Sequence, residues 1–147
     1  MKIGVGYCNV PDSLRAGTMV AEMAIQQGQI TRPALVLAFC CGTLDAPAFF
    51  QGLQAVVGTH TPIIGGSAVG IITNTALSYT GFPAGAVIFE DDDLRANIAV
   101  STGIAQGEYQ AGSVLAQQLA ETVKLRVQVV EVVHGTTTAS NTILQKV

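Results

Sequence analysis

The first 65 residues alternate short apolar runs with helix-start signals, and this alternation constrains the fold more than any other feature of the chain. Apolar runs cover residues 2–8 and 34–40, and a third begins at Ile63. Between them, Asn9-Val-Pro11 and Asp45-Ala-Pro47 each place a capping side chain two residues before a proline, which is typical of a helix start. Because connections of this kind cross over with one hand, the sequence predicts a parallel βαβαβ start.

The strand pattern changes after residue 68, where the chain shows no convincing helix until residue 100. Residues 71–73, 85–89 and 96–100 are predicted as strands joined by polar or Gly/Pro turns, which favours antiparallel pairing. A final strand at 127–133 precedes a hydroxyl-rich loop at 134–141 and an apolar stub, Ile143-Leu144, that barely begins a helix. The predicted fold class is α/β, with a mixed sheet of about six strands. The length suits a single domain over residues 1–147, with no second domain.

Three full helices are predicted from caps and periodicity. The first begins at the Asn9 cap and ends near Gln27, because Gly28 suits a helix end. The third begins at Gly107 and Glu108, whose negative charge suits the positive end of the helix dipole. The residues predicted to face inward are Leu14, Ala21 and Ile25 in the first helix, Phe49, Leu53 and Val56 in the second, and Ala111, Leu115, Leu119 and Val123 in the third.

The chain is unusually poor in charge, which indicates that much of its surface is interior or covered by a partner. Its residues are 49% hydrophobic and 12% charged, where roughly 25% charged is usual. We therefore expect a homo-oligomer or a partner domain. A net charge of −3 with no basic cluster excludes the electrostatic attraction that nucleic-acid binding needs, so no nucleic-acid partner is expected.

The same sequence argues for a cytoplasmic protein with no membrane partner. No apolar run reaches the roughly 18 to 20 residues of a membrane helix, and the N-terminus leads directly into a strand pattern instead of a signal peptide. The three cysteines have no zinc spacing, so reduced thiols in a reducing compartment are expected.

Polar and nucleophilic residues follow several predicted strands. If strands one, two, three and the last are parallel, their C-terminal ends share the edge at which open α/β sheets bind ligands. This edge would collect Cys8, Asn9, Cys40, Cys41, Thr43, Ser67 and His134. Among them, Thr43, Ser67 and His134 are predicted to line one pocket.

The same edge permits an enzyme interpretation, in which Cys40 or Cys41 attacks a substrate and His134 accepts the proton. Buried cysteines at strand ends are far more often packing residues, and no Lys or Arg lies nearby to stabilise a thiolate. No catalytic residue is therefore assigned, and the thiol pKa values are expected at or above the free value.

Three further features are expected to have no ligand. The acidic run at 90–93 is interpreted as a solvated turn, because four consecutive acids point in different directions, so no metal site is predicted. Gly4-Val-Gly6 has Asn9 at the third glycine place of a dinucleotide loop, so no cofactor is predicted. His60 is expected to be an exposed turn residue.

The segment that follows the second helix is rich in small residues. Gly65, Gly66 and Gly70 can take positive φ and expose the main chain to a ligand near Ser67. The alternative is that these glycines mark a bulge or the close pass of another backbone. Both interpretations remain open at this point.

Three stretches together carry a family resemblance: Ala34-Leu-Val-Leu-Ala-Phe39, Ala48-Phe-Phe-Gln-Gly-Leu-Gln-Ala-Val-Val-Gly58 and Pro62-Ile-Ile-Gly-Gly-Ser-Ala-Val-Gly70. Their order resembles the front part of the FIST N-terminal domain, a sensory module of F-box and intracellular signal transduction proteins. Two positions depart from the family pattern, since Gly66 replaces its cysteine and Ile71 its glutamate, so Gly65, Ser67 and Gly70 alone carry over. A ligand that the family holds through that cysteine or glutamate would here differ, or be held by backbone and hydroxyl alone.

The resemblance implies a sensory module that binds a small molecule, with an amino acid or a related metabolite as the expected ligand. The residues expected to bind the ligand are Cys40, Thr43, Gly65, Gly66, Ser67, Gly70 and His134. The alternatives are the small-molecule enzyme that uses the cysteine and histidine edge, and an oligomeric scaffold without a ligand.

Overall fold

The computed structural model describes residues 1–122, 128–133 and 140–145. The chain divides into two compact units, Met1–Leu94 and Arg95–Val147. The predicted fold class is confirmed, because the described residues form an α/β fold with three helices and a mixed sheet. The expectation that residues 1–147 form a single domain stays a prediction.

The unit Met1–Leu94 contains two helices and six strands. Its elements are β1 (Lys2–Asn9), α1 (Ser13–Gly28), β2 (Leu35–Cys41), α2 (Ala46–Val57), β3 (Ile63–Ala68), β4 (Ile71–Ile72), β5 (Leu77–Ser78) and β6 (Pro83–Glu90). The four long strands form one sheet in the order β1-β6-β2-β3, and β4 pairs only with β5 among the described residues.

The four-stranded sheet confirms the predicted mixture of parallel and antiparallel pairs. β2 pairs with β3 in parallel, whereas β6 runs antiparallel to both of its neighbours, β1 and β2. β1, β2 and β3 therefore run in the same direction. They lie in this order across the sheet, with β6 between β1 and β2. Crossovers of one hand then carry α1 and α2 to the same face, where the two helices pack against each other.

The hydrophobic core of Met1–Leu94 lies between these two helices and the sheet. Its largest fully buried hydrophobic side chains are Val20 of α1, Val36 of β2, Leu53 of α2 and Ile88 of β6. All three cysteines belong to the same cluster. Two of them, Cys8 and Cys40, are both paired with Ala84 in the register of the sheet, one on each side of it. Two strand spacings of roughly 4.8 Å separate them, which is too far for a disulfide.

The first helix begins later than predicted. Asn9 is the last residue of β1, and the helix cap is Asp12, whose carboxylate accepts a hydrogen bond of 2.9 Å from the Arg15 backbone N–H. Asn9 instead holds the segment before β6: its Oδ1 accepts from the Phe82 N–H at 2.6 Å, and its Nδ2 donates to the Thr80 carbonyl at 3.0 Å. The helix continues through Gly28, one residue past the predicted end near Gln27, and its C-cap is Gln29, which adopts a left-handed φ of 49°.

The inward face of α1 also differs from the prediction, because it does not include Leu14. Ala21 is buried and Ile25 packs at the edge of the core, but Leu14 is 52% exposed. Small residues dominate the buried face because α1 lies close to both β1 and α2. The buried residues of α1 are Ala16, Gly17, Val20, Ala21 and Ala24.

The second helix begins where the sequence predicts. Asp45 is its N-cap and accepts a hydrogen bond of 2.7 Å from the Ala48 N–H, with proline in the first turn. Phe49 and Leu53 are buried as predicted, while Val56 is only partly buried and Val57 takes the buried position at the end of the helix.

Residues 96–100 do not form the predicted strand. The sequence analysis predicted this strand from its apolar pattern and the turns around it, and favoured antiparallel pairing, but β6 already pairs with β1 on one side and β2 on the other. No edge of β6 remains to accept another strand. The predicted strands at 71–73 and 85–89 are confirmed as β4 and β6.

The unit Arg95–Val147 contains α3 (Glu108–Thr122), β7 (Gln128–Val133) and β8 (Ser140–Gln145). Glu108 lies in the first turn of α3, and Ala111, Leu115 and Leu119 are buried as predicted. Val123 lies outside the described residues.

The last predicted strand forms, but not in the predicted sheet. β7 pairs antiparallel with β8 in a separate two-stranded sheet, so it does not extend the four-stranded one. Ile143 and Leu144 therefore belong to a strand and do not begin a helix; they pair with Val130 and Val129 in the register of the hairpin. Within the described part of the chain, no helix combines the length and hydropathy needed to cross a membrane.

Candidate functional site

α2 and the parallel pair β2–β3 enclose a cavity of about 400 Å³. A volume of this size falls within the roughly 300 to 1,000 Å³ range of small-molecule sites. It lies toward the C-terminal ends of two parallel strands, where open α/β sheets bind ligands. The lining residues are Ala38, Cys40, Cys41, Gly42, Leu44, Ala46, Phe49, Phe50, Leu53, Ile63, Gly65, Gly66 and Ser67.

The cavity exists because β3 has small residues where it faces α2. Side chains alternate between the two faces of a strand, so Ile63, Gly65 and Ser67 lie on one face. Ile63 fills the space beside Leu53, but the next two positions supply almost no side-chain volume. The N–H of Asp45 donates to the Ser13 hydroxyl at 2.9 Å, which fixes the start of α2 against α1.

Gly65 resolves the two interpretations of the glycine-rich segment. It pairs with Ala38 in the parallel register, and a Cβ at position 65 would collide with the Ala38 carbonyl oxygen. Neither Gly65 nor its neighbour Gly66 has positive φ. The close pass of another backbone is thus confirmed, and the expectation of positive φ in this segment was wrong.

The predicted ligand-binding residues do not all lie together. Cys40, Gly65, Gly66 and Ser67 line the cavity, whereas Thr43 is exposed beside it and is not part of the lining.

Gly70 and His134 complete the predicted set. Gly70, whose φ is likewise not positive, lines a smaller cavity of about 240 Å³ on the opposite face of the sheet, with Leu37, Phe39 and Val87. The prediction for His134 lies outside the described residues. His60, by contrast, is an exposed turn residue as expected.

The polar groups at the cavity are neutral. Burial, followed by the neighbouring Cys41, raises the pKa of the Cys40 thiol to about 11, so at neutral pH the group is a thiol. Cys41 Sγ lies 3.0 Å from the Thr43 hydroxyl, and Ser67 is exposed at the open side. None of the described lining residues carries a charge, so the cavity suits the apolar part of a small molecule.

The expectation for the thiols is confirmed at two positions. Burial raises the pKa of Cys8 as it does that of Cys40, and the Cys8 thiol also donates to the Ala16 carbonyl at 3.6 Å. All three cysteines are free and buried. Cys40 and Cys41 can pack against a ligand in the cavity, but the protonated Cys40 thiol is poorly suited to attack one.

The sequence analysis did not identify the α2 side of the site. Phe50 is 41% exposed and lines the cavity beside the buried Phe49. The sequence did contain a signal for this wall, since Phe49 and Phe50 are consecutive aromatic residues near the start of α2. When Phe49 faces the core, Phe50 lies at the edge of the buried face, where a ligand can contact it.

The acidic run 90–93 has a structural role at its first residue, which corrects the solvated-turn interpretation for Glu90. Its carboxylate accepts hydrogen bonds from Lys2 Nζ at 2.9 Å, from the Arg32 N–H at 2.8 Å and from the Thr31 N–H. These groups, led by Lys2, lower the pKa of Glu90 to about 2. Glu90 therefore holds the turn after α1, and the described residues contain no cluster of three or more metal-ligating side chains.

In the comparison with known proteins, one family model matches most of the chain. The family model described as the FIST N domain matches residues 34–147, which include the whole lining of the cavity. No curated protein gave a significant match.

Proposed function

Because this chain belongs to the FIST N domain family, a family of sensory domains in signal transduction, we propose that it is a sensory module that binds a small ligand. The observation that carries the proposal is the cavity between α2 and β2–β3, which lies at the ligand-binding end of parallel strands. Cys40, Gly65, Gly66 and Ser67 contribute to it, and all four lie within the matched part of the chain.

We further propose that the ligand is an amino acid or a related metabolite with an apolar side chain. The inner wall, formed by Phe49, Leu53 and Ile63, offers apolar contacts only. An ammonium or carboxylate group placed there would be desolvated without a counter-charge. The apolar part of the ligand therefore enters the cavity, and its charged groups stay at the open side beside Ser67 and Gly42, which are exposed.

The enzyme alternative rests on a thiolate nucleophile. A raised pKa of about 11 keeps the Cys40 thiol protonated at neutral pH, and the Cys41 sulfur lies in hydrogen-bonding contact with the Thr43 hydroxyl. Both features favour packing over catalysis. The free state of Cys8, Cys40 and Cys41 supports a reducing compartment, and we retain the cytoplasm as the proposed location.

The direct test is the identification of a ligand that accompanies the protein. The full chain would be purified without additives and denatured, and the released small molecules would be identified by mass spectrometry. A panel of apolar amino acids would be tested in parallel by thermal shift, since a ligand that binds only the folded state raises the melting temperature.

A cavity-filling variant makes this test specific. Ser67→Phe directs a ring into the cavity and suits a strand, so it should abolish ligand binding without loss of folding. Ser113→Phe makes the same change on an exposed position of α3 and should bind as the wild type does. The proposal fails if the wild type neither carries nor binds any such molecule, or if Ser67→Phe binds it unchanged.

A further inference from the structure

The unit Arg95–Val147 contains its own cavity, beside the N-terminus of α3. Its volume is about 320 Å³, near the lower end of the roughly 300 to 1,000 Å³ range for small-molecule sites. Four polar side chains contribute to the lining, and they are those of Ser101, Thr102, Gln106 and Gln110. None of these side chains is charged, and all of them can donate hydrogen bonds.

The first turn of α3 has unused donors at this cavity. The first helical hydrogen bond runs from the Ala111 N–H to the Gly107 carbonyl at 3.0 Å, which makes Gly107 the N-cap residue. Glycine has no side chain to accept from the first turn, and within the described residues no acceptor contacts the N–H groups of residues 108–110. Free N–H groups at a helix N-terminus, together with the helix dipole, attract anions.

Ser101 provides a second and independent indication of a ligand. The residue is only 6% exposed and lines the cavity. Its hydroxyl has no hydrogen-bond partner in the part of the chain that the structure describes. Buried polar groups are nearly always hydrogen-bonded, because an unpaired one loses its contacts with water and gains nothing in return.

We propose that this cavity binds the oxyanion of a small molecule, a carboxylate or a phosphate. Such a group only accepts hydrogen bonds, and the site offers donors from the first turn of α3, from Ser101 and Thr102, and from two glutamine amides. The site is distinct from the cavity between α2 and β3, and its existence does not depend on the ligand proposed there. Because its lining has no cationic side chain, the affinity is modest and sensitive to competing anions.

The test uses the full ¹⁵N-labelled chain in an NMR titration. Inorganic phosphate and acetate would be added separately, with chloride at matched ionic strength as the reference. The amide signals of Ser101 and of residues 107–110 should shift and saturate with phosphate, with acetate or with both, and not with chloride. The anion that saturates them distinguishes a phosphate ligand from a carboxylate ligand.

Two variants then attribute the binding to the cavity. Ser101→Ala removes one hydrogen bond to a charged acceptor, so the anion should bind roughly 10- to 100-fold more weakly. Gly107→Asp supplies an internal carboxylate cap for α3 and should weaken binding by about tenfold or more while stabilising the helix. A Cβ at position 107 has room, since its nearest neighbour would be Gln110 Cβ at 3.8 Å.

The matched controls are Gly107→Ala, which adds the Cβ without the carboxylate, and Ser113→Ala, which removes an exposed hydroxyl elsewhere on α3. Ser113→Ala should leave binding unchanged, and Gly107→Ala should weaken it less than Gly107→Asp does. Because Gly107→Asp is expected to fold at least as stably as the wild type, loss of folding in Ser101→Ala would not prevent the test. Shifts that match those in chloride, or unchanged affinity in Gly107→Asp, would overturn the proposal.

Discussion

Gly17 of α1 and Gly52 of α2 lie face to face at the crossing of the two helices. A Cβ on Gly52 would lie 3.1 Å from Gly17 Cα and 2.8 Å from the Thr18 nitrogen, and one on Gly17 would lie 3.0 Å from the Leu53 nitrogen. Both glycines are buried. The two helix backbones thus approach more closely than any other residue pair would permit, which brings Val20 and Leu53 into the fully buried core.

Gly52→Ala should therefore destabilise the protein, although alanine favours a helix. The added methyl group meets backbone atoms that cannot rotate away, and we expect a loss of about 1–3 kcal/mol from the overpacked contact. Urea unfolding followed by circular dichroism measures the change. Gly112→Ala is the matched control on α3, where a Cβ has no atom within 4 Å; it should stabilise the helix by about 0.5–1 kcal/mol. A stabilised Gly52→Ala would contradict the close approach.

Glu90 should make stability depend on acidic pH. Its folded-state pKa of about 2 is below the ordinary value of 4.5 because Lys2, Arg32 and Thr31 donate to the carboxylate. Folding therefore favours the ionised form, and the stabilisation is complete above pH 4.5 and lost as the pH falls toward 2. Glu90→Gln should be less stable than the wild type at neutral pH, and this deficit should shrink at about pH 3.

Urea unfolding at the two pH values tests this dependence. Asp93→Asn, a neighbouring exposed carboxylate, serves as the control and should cost little at either pH. If Glu90→Gln loses the same free energy of unfolding at both pH values, the charge of Glu90 does not stabilise the turn. Its hydrogen bonds alone would then account for the stabilisation.

The buried cysteines should react slowly in the native protein. With its pKa raised to about 11, Cys40 has almost no thiolate at neutral pH, and burial restricts access further. Labelling by iodoacetamide should therefore be about 100-fold or more slower than that of free cysteine. Mass spectrometry of digested protein locates the label, and unfolding in urea should restore the ordinary rate. Rapid native labelling at Cys40 or Cys41 would instead support the enzyme alternative.

The β4–β5 hairpin should mediate self-association. Val69, Ile72, Leu77 and Tyr79 are each more than 60% exposed, and contiguous apolar patches are seldom left to water. A second copy of the chain is the partner we expect, since only 12% of the residues are charged. The double variant Ile72→Lys/Leu77→Glu should shift the protein toward monomer in sedimentation velocity, whereas Leu14→Lys, at an exposed position on α1, should not. A wild type that is monomeric at micromolar concentration would refute the expectation.

Local interactions were readable from the sequence because the residues that decide them are close in the chain. Asp45 and the proline that follows it determine the start of α2, and the spacing of Phe49 and Leu53 determines its buried face. The same reasoning locates α3 and the continuous apolar strand β2. The small residues Gly65 and Ser67, which the sequence pattern singled out, line the cavity.

Distant backbone decided the features that the sequence analysis missed. Asn9 has the chemistry of a helix cap, but β1 continues through it because β6 pairs along its whole length, and its amide then binds the segment before β6. β6 occupies the place between β1 and β2, so residues 96–100 cannot pair with it. Glu90 lies in an acidic run, yet its carboxylate accepts hydrogen bonds from Lys2 and from the turn after α1.

The candidate site shows the same division. The sequence alone identified glycines at positions 65 and 66, but whether they served a ligand, a turn or a neighbouring backbone depended on Ala38, a residue 27 positions away that only the sheet register brings alongside Gly65. Caps and periodicity act over a few residues and leave a pattern in the sequence. Strand order and cavities depend on which distant segments meet. The residues that make those contacts are far apart in the chain, and no regular spacing in the sequence indicates which of them will pair.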